Sequence, residues 1–283
     1  MQNKDFHGRF NYFARDNGKE ETIILLSGFQ DTGRGFYFLE DFLSNRFNLL
    51  SIDWRGHGDS PPLPDGWSYS AAFLLTDLIQ FAAEVAGPRY HILGHSMGSA
   101  LAARYAGMVP NEIKSLVLIE GFSGRWPPEK EADRMQDWAR KLRKQRPAKD
   151  SSFPSVEAAA AILARAHPRT PEANRLKLAE LWTNEGEDGR FRWKHDPNLR
   201  SRMLPIPFPP DLSREFWRRV ECPVLFLYGK HSDLRPPEDQ IDEILSHFTS
   251  LESKELDSGH NPHQEMPETT MEILDSFYRK AEL

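Results

Sequence analysis

A serine between two glycines is the clearest chemical signal in the chain. The five residues from Gly94 to Gly98 read Gly-His-Ser-Met-Gly, a G-x-S-x-G pattern that places its serine on a sharp turn from a strand into a helix. Glycines allow the backbone to pack closely around such a turn. An apolar run at residues 90–93 precedes the motif, so we predict Ser96 as a nucleophile at the carboxyl end of a strand.

A serine hydroxyl is a weak nucleophile without an adjacent base, and one histidine near the carboxyl terminus is placed to supply it. His260 follows the strand-like segment 250–256 and precedes the predicted last helix. A loop there can return the imidazole to Ser96, so His260 is the predicted base. His263 is the alternative base, and His95, beside the nucleophile, is expected to shape the turn.

The base requires a carboxylate that orients its imidazole and stabilises the charged form. Asp233 follows the apolar run 224–228 and is the predicted acid. Glu120, directly after the apolar run 115–119, is the alternative. Either choice keeps the chain order nucleophile, acid, base, so the sequence leaves both open.

Acyl transfer also needs hydrogen-bond donors aimed at the developing oxyanion. Met97, at the predicted helix start, can supply one backbone N–H, and Phe29, in the loop 27–30, can supply the second. This chemistry requires no metal and no cofactor. The single cysteine, Cys222, excludes an internal disulfide and a thiolate zinc site, and we interpret it as a buried structural thiol.

Short apolar runs alternate with helix-length segments over the first 120 residues. The predicted strands are residues 22–26, 47–52, 90–93 and 115–119, and the predicted helices are residues 70–85 and 97–108. Nearly continuous apolar runs are typical of parallel strands that are buried on both faces. The alternation therefore indicates an α/β fold with right-handed crossovers.

The alternation stops between about residues 126 and 217. This stretch contains predicted helices at residues 128–146, 155–166 and 171–185, and no convincing strand. A strand pattern resumes at residues 223–228, and a last helix is predicted at residues 267–280. We predict an α/β core at residues 1–124 and 218–283, with an inserted helical cap, or lid, at residues 125–217.

The predicted cap is rich in tryptophan and in basic residues. Of its five tryptophans, three are the predicted pocket residues, Trp126, Trp138 and Trp182. The alternative is that these rings pack the cap onto the core. Residues 125–221 carry 21 lysines and arginines against 15 aspartates and glutamates. This excess could attract an anionic substrate, although charge runs are usually solvated helix faces.

The composition excludes several classes of protein. The 283 residues carry a net charge of −6, which argues against nucleic acid as the main partner. No run approaches the roughly 18 apolar residues of a membrane span, and the polar amino terminus lacks a secretory signal. We expect a cytoplasmic protein with a small-molecule acyl substrate. Monomer and homodimer both remain open.

Four segments together resemble the α/β-hydrolase superfamily, in its cap-bearing serine esterase-like branch. They are residues 26–29, residues 53–60, the motif around Ser96, and Gly259-His260 with residues 265–268. The resemblance covers about residues 9–122 and 221–282, and it implies a mostly parallel central sheet flanked by helices. Two departures stand out. Ser27 occupies a position that is often histidine, and Asp233 lies one residue further from its glycine than is common.

The resemblance also narrows the chemistry. Related epoxide hydrolases and haloalkane dehalogenases carry aspartate at the position of Ser96, so serine favours acyl chemistry. We predict a serine hydrolase, carboxylesterase-like, that cleaves an ester, thioester or lactone through an acyl-enzyme intermediate. The alternatives are a C–C bond hydrolase of the meta-cleavage type, a non-catalytic ligand-binding protein on this fold, and a cofactor-free haloperoxidase-like activity.

Overall fold

The computed structural model describes residues 1–121, 128–143, 152–206 and 208–281. The strands are β1 (Gln2–Phe6), β2 (Phe10–Arg15), β3 (Thr22–Leu26), β4 (Asn48–Ile52), β5 (Tyr90–His95), β6 (Ile113–Ile119), β7 (Thr183–Glu185), β8 (Phe191–Trp193), β9 (Val224–Gly229) and β10 (Leu251–Leu256). The α-helices are α1 (Tyr37–Ser44), α2 (Ala71–Phe81), α3 (Met97–Met108), α4 (Pro128–Arg143), α5 (Val156–Ala166), α6 (Glu172–Trp182), α7 (Leu199–Arg202), α8 (Pro210–Trp217), α9 (Glu238–Leu245), α10 (Pro262–Glu265) and α11 (Pro267–Lys280).

Eight of these strands form one sheet, in the order β1-β2-β4-β3-β5-β6-β9-β10. The six strands from β4 to β10 in that order are parallel, and β2 runs antiparallel to both β1 and β4. Parallel neighbours bring their carboxyl ends to one edge of the sheet. The loops that follow β5, β6, β9 and β10 therefore meet there.

Alternate residues of the central strands bury apolar side chains on opposite faces of the sheet. In β3, Ile23 and Leu25 pack with α1 and α11, whereas Ile24 and Leu26 pack with α2 and α3. Both faces are covered, which is why each strand has a nearly continuous apolar sequence. This is the mostly parallel sheet, flanked by helices, that the sequence predicts.

The outer strands β1 and β2 have no counterpart among the predicted strands. β1 is an edge strand, and all but one of its residues are exposed, so its sequence is mostly polar. β2 alternates polar and apolar residues less regularly than the central strands. The predicted helix at residues 70–85 is also shorter, because α2 gives way to a π-helical turn at Ala82–Ala86.

The segment between β6 and β9 contains helices α4 to α8 in its described part. It also contains an antiparallel hairpin, β7–β8, so the prediction that this segment has no strand was wrong. The turn includes Gly189 at φ 68°, a conformation that glycine adopts without strain. The predicted helix at residues 171–185 correspondingly ends at Trp182. The division into core and cap at residues 125–217 stays a prediction.

A buried polar cluster joins this segment to the core. Asp196 accepts a hydrogen bond from the Tyr69 hydroxyl (2.7 Å) and forms an ion pair with Arg202 (2.9 Å). Both side chains of the ion pair are almost fully buried. The Tyr69 N–H also donates to the Arg202 carbonyl. These contacts fix residues 196–202 against the loop that precedes α2.

Candidate active site

Ser96 lies on a strained turn between β5 and α3. Its φ is 51°, in the left-handed region that side-chain-bearing residues seldom adopt, and its N–H donates to the Ile119 carbonyl (2.8 Å). Gly98 permits this turn, because a Cβ atom there would lie 2.0 Å from the Leu26 carbonyl oxygen. Strain that close packing holds in place is typical of functional sites.

His260 reaches this turn from the loop between β10 and α10. Its Nε2 lies 2.9 Å from the Ser96 Oγ. The loop is held from below, since the His95 Nε2 lies 3.0 Å from the His260 carbonyl oxygen and must donate to it. The structure therefore brings the predicted nucleophile and the predicted base into hydrogen-bond contact. His95 was expected to shape the turn. Its ring also contacts the loop that carries His260.

Glu120 supplies the carboxylate on the other side of the imidazole. Its Oε2 lies 3.1 Å from the His260 Nδ1, and its side chain is only 2% exposed. Two donors, one at the end of β9 and one in the loop that follows it, hold the same carboxylate. The Gly229 N–H donates to Oε1, and the Ser232 hydroxyl donates to Oε2 (2.7 Å). Ser96, His260 and Glu120 thus form one continuous hydrogen-bonded chain.

The choice of Asp233 as the acid is not supported by this geometry. Asp233 is exposed, and within the described part of the chain it forms no hydrogen bond with His260. The physical reason is that the end of β9 and the loop after it direct Gly229 and Ser232, and not the Asp233 carboxylate, toward Glu120. The alternative, Glu120, is the carboxylate in hydrogen-bond contact with the imidazole.

The predicted oxyanion donors flank the nucleophile. Met97 is the first residue of α3, and N–H groups of the first helical turn have no acceptor within their own helix. Gly28, which precedes Phe29, lies against the nucleophile, since a Cβ atom on it would be 3.3 Å from the Ser96 Cβ. The Phe29 N–H has no acceptor among the described residues. Their role as an oxyanion hole stays a prediction.

The three predicted pocket tryptophans differ in location and burial. Trp126 lies outside the described residues. Trp138 is half-buried in α4. Trp182 is buried in a cluster with Leu163 of α5 and Leu178 of its own helix, and Phe38 packs against this cluster. The centroid of its ring also lies 6.0 Å from that of His167.

Three further side chains near Glu120 and His260 were not predicted as site residues, namely His167, Ser232 and Asn261. His167 Nδ1 lies 2.7 Å from the amide nitrogen of Asn261, the residue after the base, and burial lowers the pKa of His167 to about 4. His263, the alternative base, is fully buried, and burial lowers its pKa to about 3. The Ser96 hydroxyl is hydrogen-bonded to His260 instead. No sequence signal marks Ser232 or Asn261, because their partners come from distant segments.

With this geometry in hand, comparison with known proteins decides the family. A model of the alpha/beta hydrolase family matches residues 23–273. The chain belongs to the alpha/beta hydrolase family. The predicted family and fold class are confirmed.

The relatives of this alpha/beta hydrolase are distant. A serine hydrolase-like protein of Danio rerio is 24% identical over 267 residues, covering 90% of this chain and 80% of that protein. A 2-(acetamidomethylene)succinate hydrolase of Mesorhizobium japonicum is 25% identical and covers 80% of this chain and 77% of that one. The solved thioesterase domain from the curacin biosynthetic pathway superposes with a TM-score of 0.81 at 22% identity, covering 96% of this chain and 98% of its own.

These comparisons support a hydrolase and leave its substrate open. Across the described ranges, no helix is both long enough and apolar enough to cross a membrane. The expected cytoplasmic location and the oligomeric state stay predictions.

Proposed function

We propose that this alpha/beta hydrolase cleaves a carboxylic ester or a related acyl substrate, an ester, thioester or lactone, through an acyl-enzyme intermediate. Ser96 is the nucleophile, His260 the general base and Glu120 the acid. The observation that carries the proposal is the unbroken hydrogen-bond chain from Ser96 Oγ through the imidazole to the Glu120 carboxylate. A nucleophile, a base and an orienting group in contact are the mark of covalent acyl catalysis.

Glu120 determines which imidazole nitrogen carries the proton. A carboxylate only accepts hydrogen bonds, so the His260 Nδ1 donates to it and Nε2 presents its lone pair to the serine hydroxyl. Nε2 takes the hydroxyl proton as Oγ bonds to the substrate carbonyl carbon. The resulting imidazolium then protonates the leaving group as its bond to carbon breaks. Glu120, held by two further donors, stabilises that imidazolium.

The second half of the cycle repeats these steps with water. His260 removes a proton from water, whose oxygen attacks the acyl carbon, and the imidazolium returns a proton to Ser96 Oγ as the acid product leaves. In both halves, the backbone N–H groups of Phe29 and Met97 stabilise the oxyanion. Removing one such donor typically costs about 100- to 1000-fold in kcat. Every proton is accounted for by the triad and water.

Residues 125–217 serve in this proposal as the cap over the nucleophile. The cap's contacts with the base loop support this arrangement, since His167 lies against Asn261 and Arg169 donates to the Asp257 carbonyl. A relative that bears the name 2-(acetamidomethylene)succinate hydrolase supports a small acyl compound as substrate. The preference among acyl groups is set by this cap.

Labelling with a fluorophosphonate tests the proposal. The labelling is done on wild type, on Ser96→Ala and on a control, Ser246→Ala, and the adducts are detected by intact mass. Ser246 is an exposed serine directly after α9. We expect one adduct on wild type and on the control, and none on Ser96→Ala. A panel of p-nitrophenyl esters, thioesters and lactones then ranks the substrates. No adduct on folded wild type, together with no turnover of the panel, would favour a non-catalytic binding protein.

The C–C bond hydrolase alternative uses the same three residues, so labelling does not separate it from the esterase. It is tested with a vinylogous diketone of the meta-cleavage type as substrate. The reaction is measured as the loss of the visible absorbance of this diketone. Turnover of the diketone faster than of any ester would replace the proposed substrate class and keep the triad.

A further inference from the structure

Three buried metal-ligating side chains lie beneath the triad. Asp31, His95 and His263 are 5%, 3% and 0% exposed. They come from three separate segments, the loop after β3, the end of β5 and helix α10. Each offers one ligand atom, and the three atoms lie within 4.8 Å of one another. We call these residues the buried His2Asp cluster.

The imidazoles of this cluster have nitrogen atoms without hydrogen-bond partners. The His95 Nε2 donates to the His260 carbonyl, so a neutral ring leaves Nδ1 as an unprotonated acceptor. That Nδ1 has no partner within the described ranges, and neither nitrogen of His263 has one. Buried polar atoms are nearly always paired, because desolvating one without a partner costs free energy. These orphaned lone pairs indicate a missing ligand.

The Asp31 carboxylate of the cluster lacks a positively charged partner among the described residues. Asp31 accepts a hydrogen bond from the Thr32 N–H (2.6 Å), but the described residues provide it with no ion pair. Asp31 is only 5% exposed, so its carboxylate has little water around it. A cation beside Asp31 would compensate for burying this carboxylate. The same cation could accept the histidine lone pairs.

We propose that the buried His2Asp cluster binds one divalent transition-metal ion of the zinc class. Two imidazoles and one carboxylate suit zinc, cobalt, nickel or iron, and they disfavour magnesium and calcium, which prefer oxygen ligands. The His95 N–H bond to a backbone carbonyl is the outer contact that metal-bound histidines commonly make. This ion takes no part in the proposed acyl transfer.

The spacing of the cluster sets how far its ligands must move. Three atoms that are no more than 4.8 Å apart share a central point that lies at most about 2.8 Å from each. Zinc–nitrogen distances are about 2.0–2.1 Å, so each ligand atom must shift inward by at most about 0.7 Å. A hydrogen-bonded water molecule would fit the unshifted spacing, and the experiment must therefore separate metal from water.

Metal content of the full-length chain provides that test. The protein is produced in zinc- or cobalt-supplemented medium, desalted in the presence of a weak chelator, and analysed by inductively coupled plasma mass spectrometry. The variants are His263→Phe, which keeps a ring beside Phe36, and the near-isosteric Asp31→Asn. The control is His231→Phe, which removes an exposed histidine paired with Asp257.

We expect about one ion per chain in wild type and in the control, with a loss of at least tenfold in both cluster variants. The cobalt form should show visible d–d absorption that both cluster variants lose. Wild type without bound metal after supplementation, or cluster variants that retain it, would overturn the proposal and leave a buried water as the occupant. Because the readout is metal content, it is independent of whether Ser96 proves to be a nucleophile.

Discussion

Replacing Glu120 by glutamine tests the assignment of the acid most directly. The Gly229 N–H donates to Oε1, and only the oxygen of a glutamine amide can accept this hydrogen bond. The glutamine oxygen therefore takes the position of Oε1. The amide NH2 group must then take the place of Oε2 and face the His260 Nδ1. A donor there forces Nδ1 to be the unprotonated nitrogen. The proton moves to Nε2, which can no longer accept the serine proton.

The expected magnitude follows from this wrong tautomer. A triad whose acid is replaced by its amide typically loses about 10,000-fold in kcat with its geometry intact. We expect a loss of about 1000- to 10,000-fold here, equivalent to about 4–5.5 kcal/mol in the activation barrier. KM should change little, because Glu120 does not touch the substrate in the proposed mechanism.

The assay is hydrolysis of the best ester from the substrate panel, with the rate of fluorophosphonate labelling as a second readout. Asp233→Asn is the matched control. Asp233 is exposed and lies outside the hydrogen-bonded chain from Ser96 to Glu120, so Asp233→Asn should keep a kcat close to that of wild type. Circular dichroism confirms folding of both variants. Near-normal turnover in Glu120→Gln, with a collapse in Asp233→Asn, would refute the reasoning.

Three further predictions concern stability. Burial lowers the pKa of His57 from 6.5 to about 4, so the unfolded state binds more protons in this window, and stability present above pH 6.5 is lost as the pH falls through 4. Relative to His57→Leu, wild type should lose about 3 kcal/mol more between pH 7 and pH 4 in urea titrations; parallel pH curves would contradict this. Gly98→Ala should lower the unfolding free energy by about 3 kcal/mol or more, because the new Cβ meets the Leu26 carbonyl. An unchanged melting temperature would contradict that clash. Arg202→Met should cost about 3–5 kcal/mol by leaving Asp196 buried without its cation, and urea unfolding with no change in midpoint would argue against it.

The central strands and the nucleophile turn were predictable because local sequence dictates them. A strand buried on both faces is apolar at nearly every position, as β3 is from Ile23 to Leu26, and the limits of β3 were predicted to the residue. The turn at Ser96 requires a positive φ and close backbone neighbours, and Gly94 and Gly98 make this requirement visible in the sequence. Helix α3 was likewise predicted over its full length.

Elements that depend on distant partners were harder to predict. The edge strand β1 is mostly exposed, so nothing in its sequence separates it from a polar loop. The hairpin β7–β8 has strands of three residues, too short to show a periodicity. In both cases hydrogen bonding to a neighbour creates the strand, and that neighbour is not visible in the local pattern.

The identity of the acid shows the same limit in the site itself. Ser96, Glu120, Ser232 and His260 follow β5, β6, β9 and β10, which are four consecutive strands of the sheet. Both candidate acids therefore lie at the correct edge, and the strand order cannot choose between them. The choice depends on which carboxylate the remaining donors surround. Because Gly229 and Ser232 already donate to Glu120, a competing Asp233 would have to displace two hydrogen bonds to reach the imidazole.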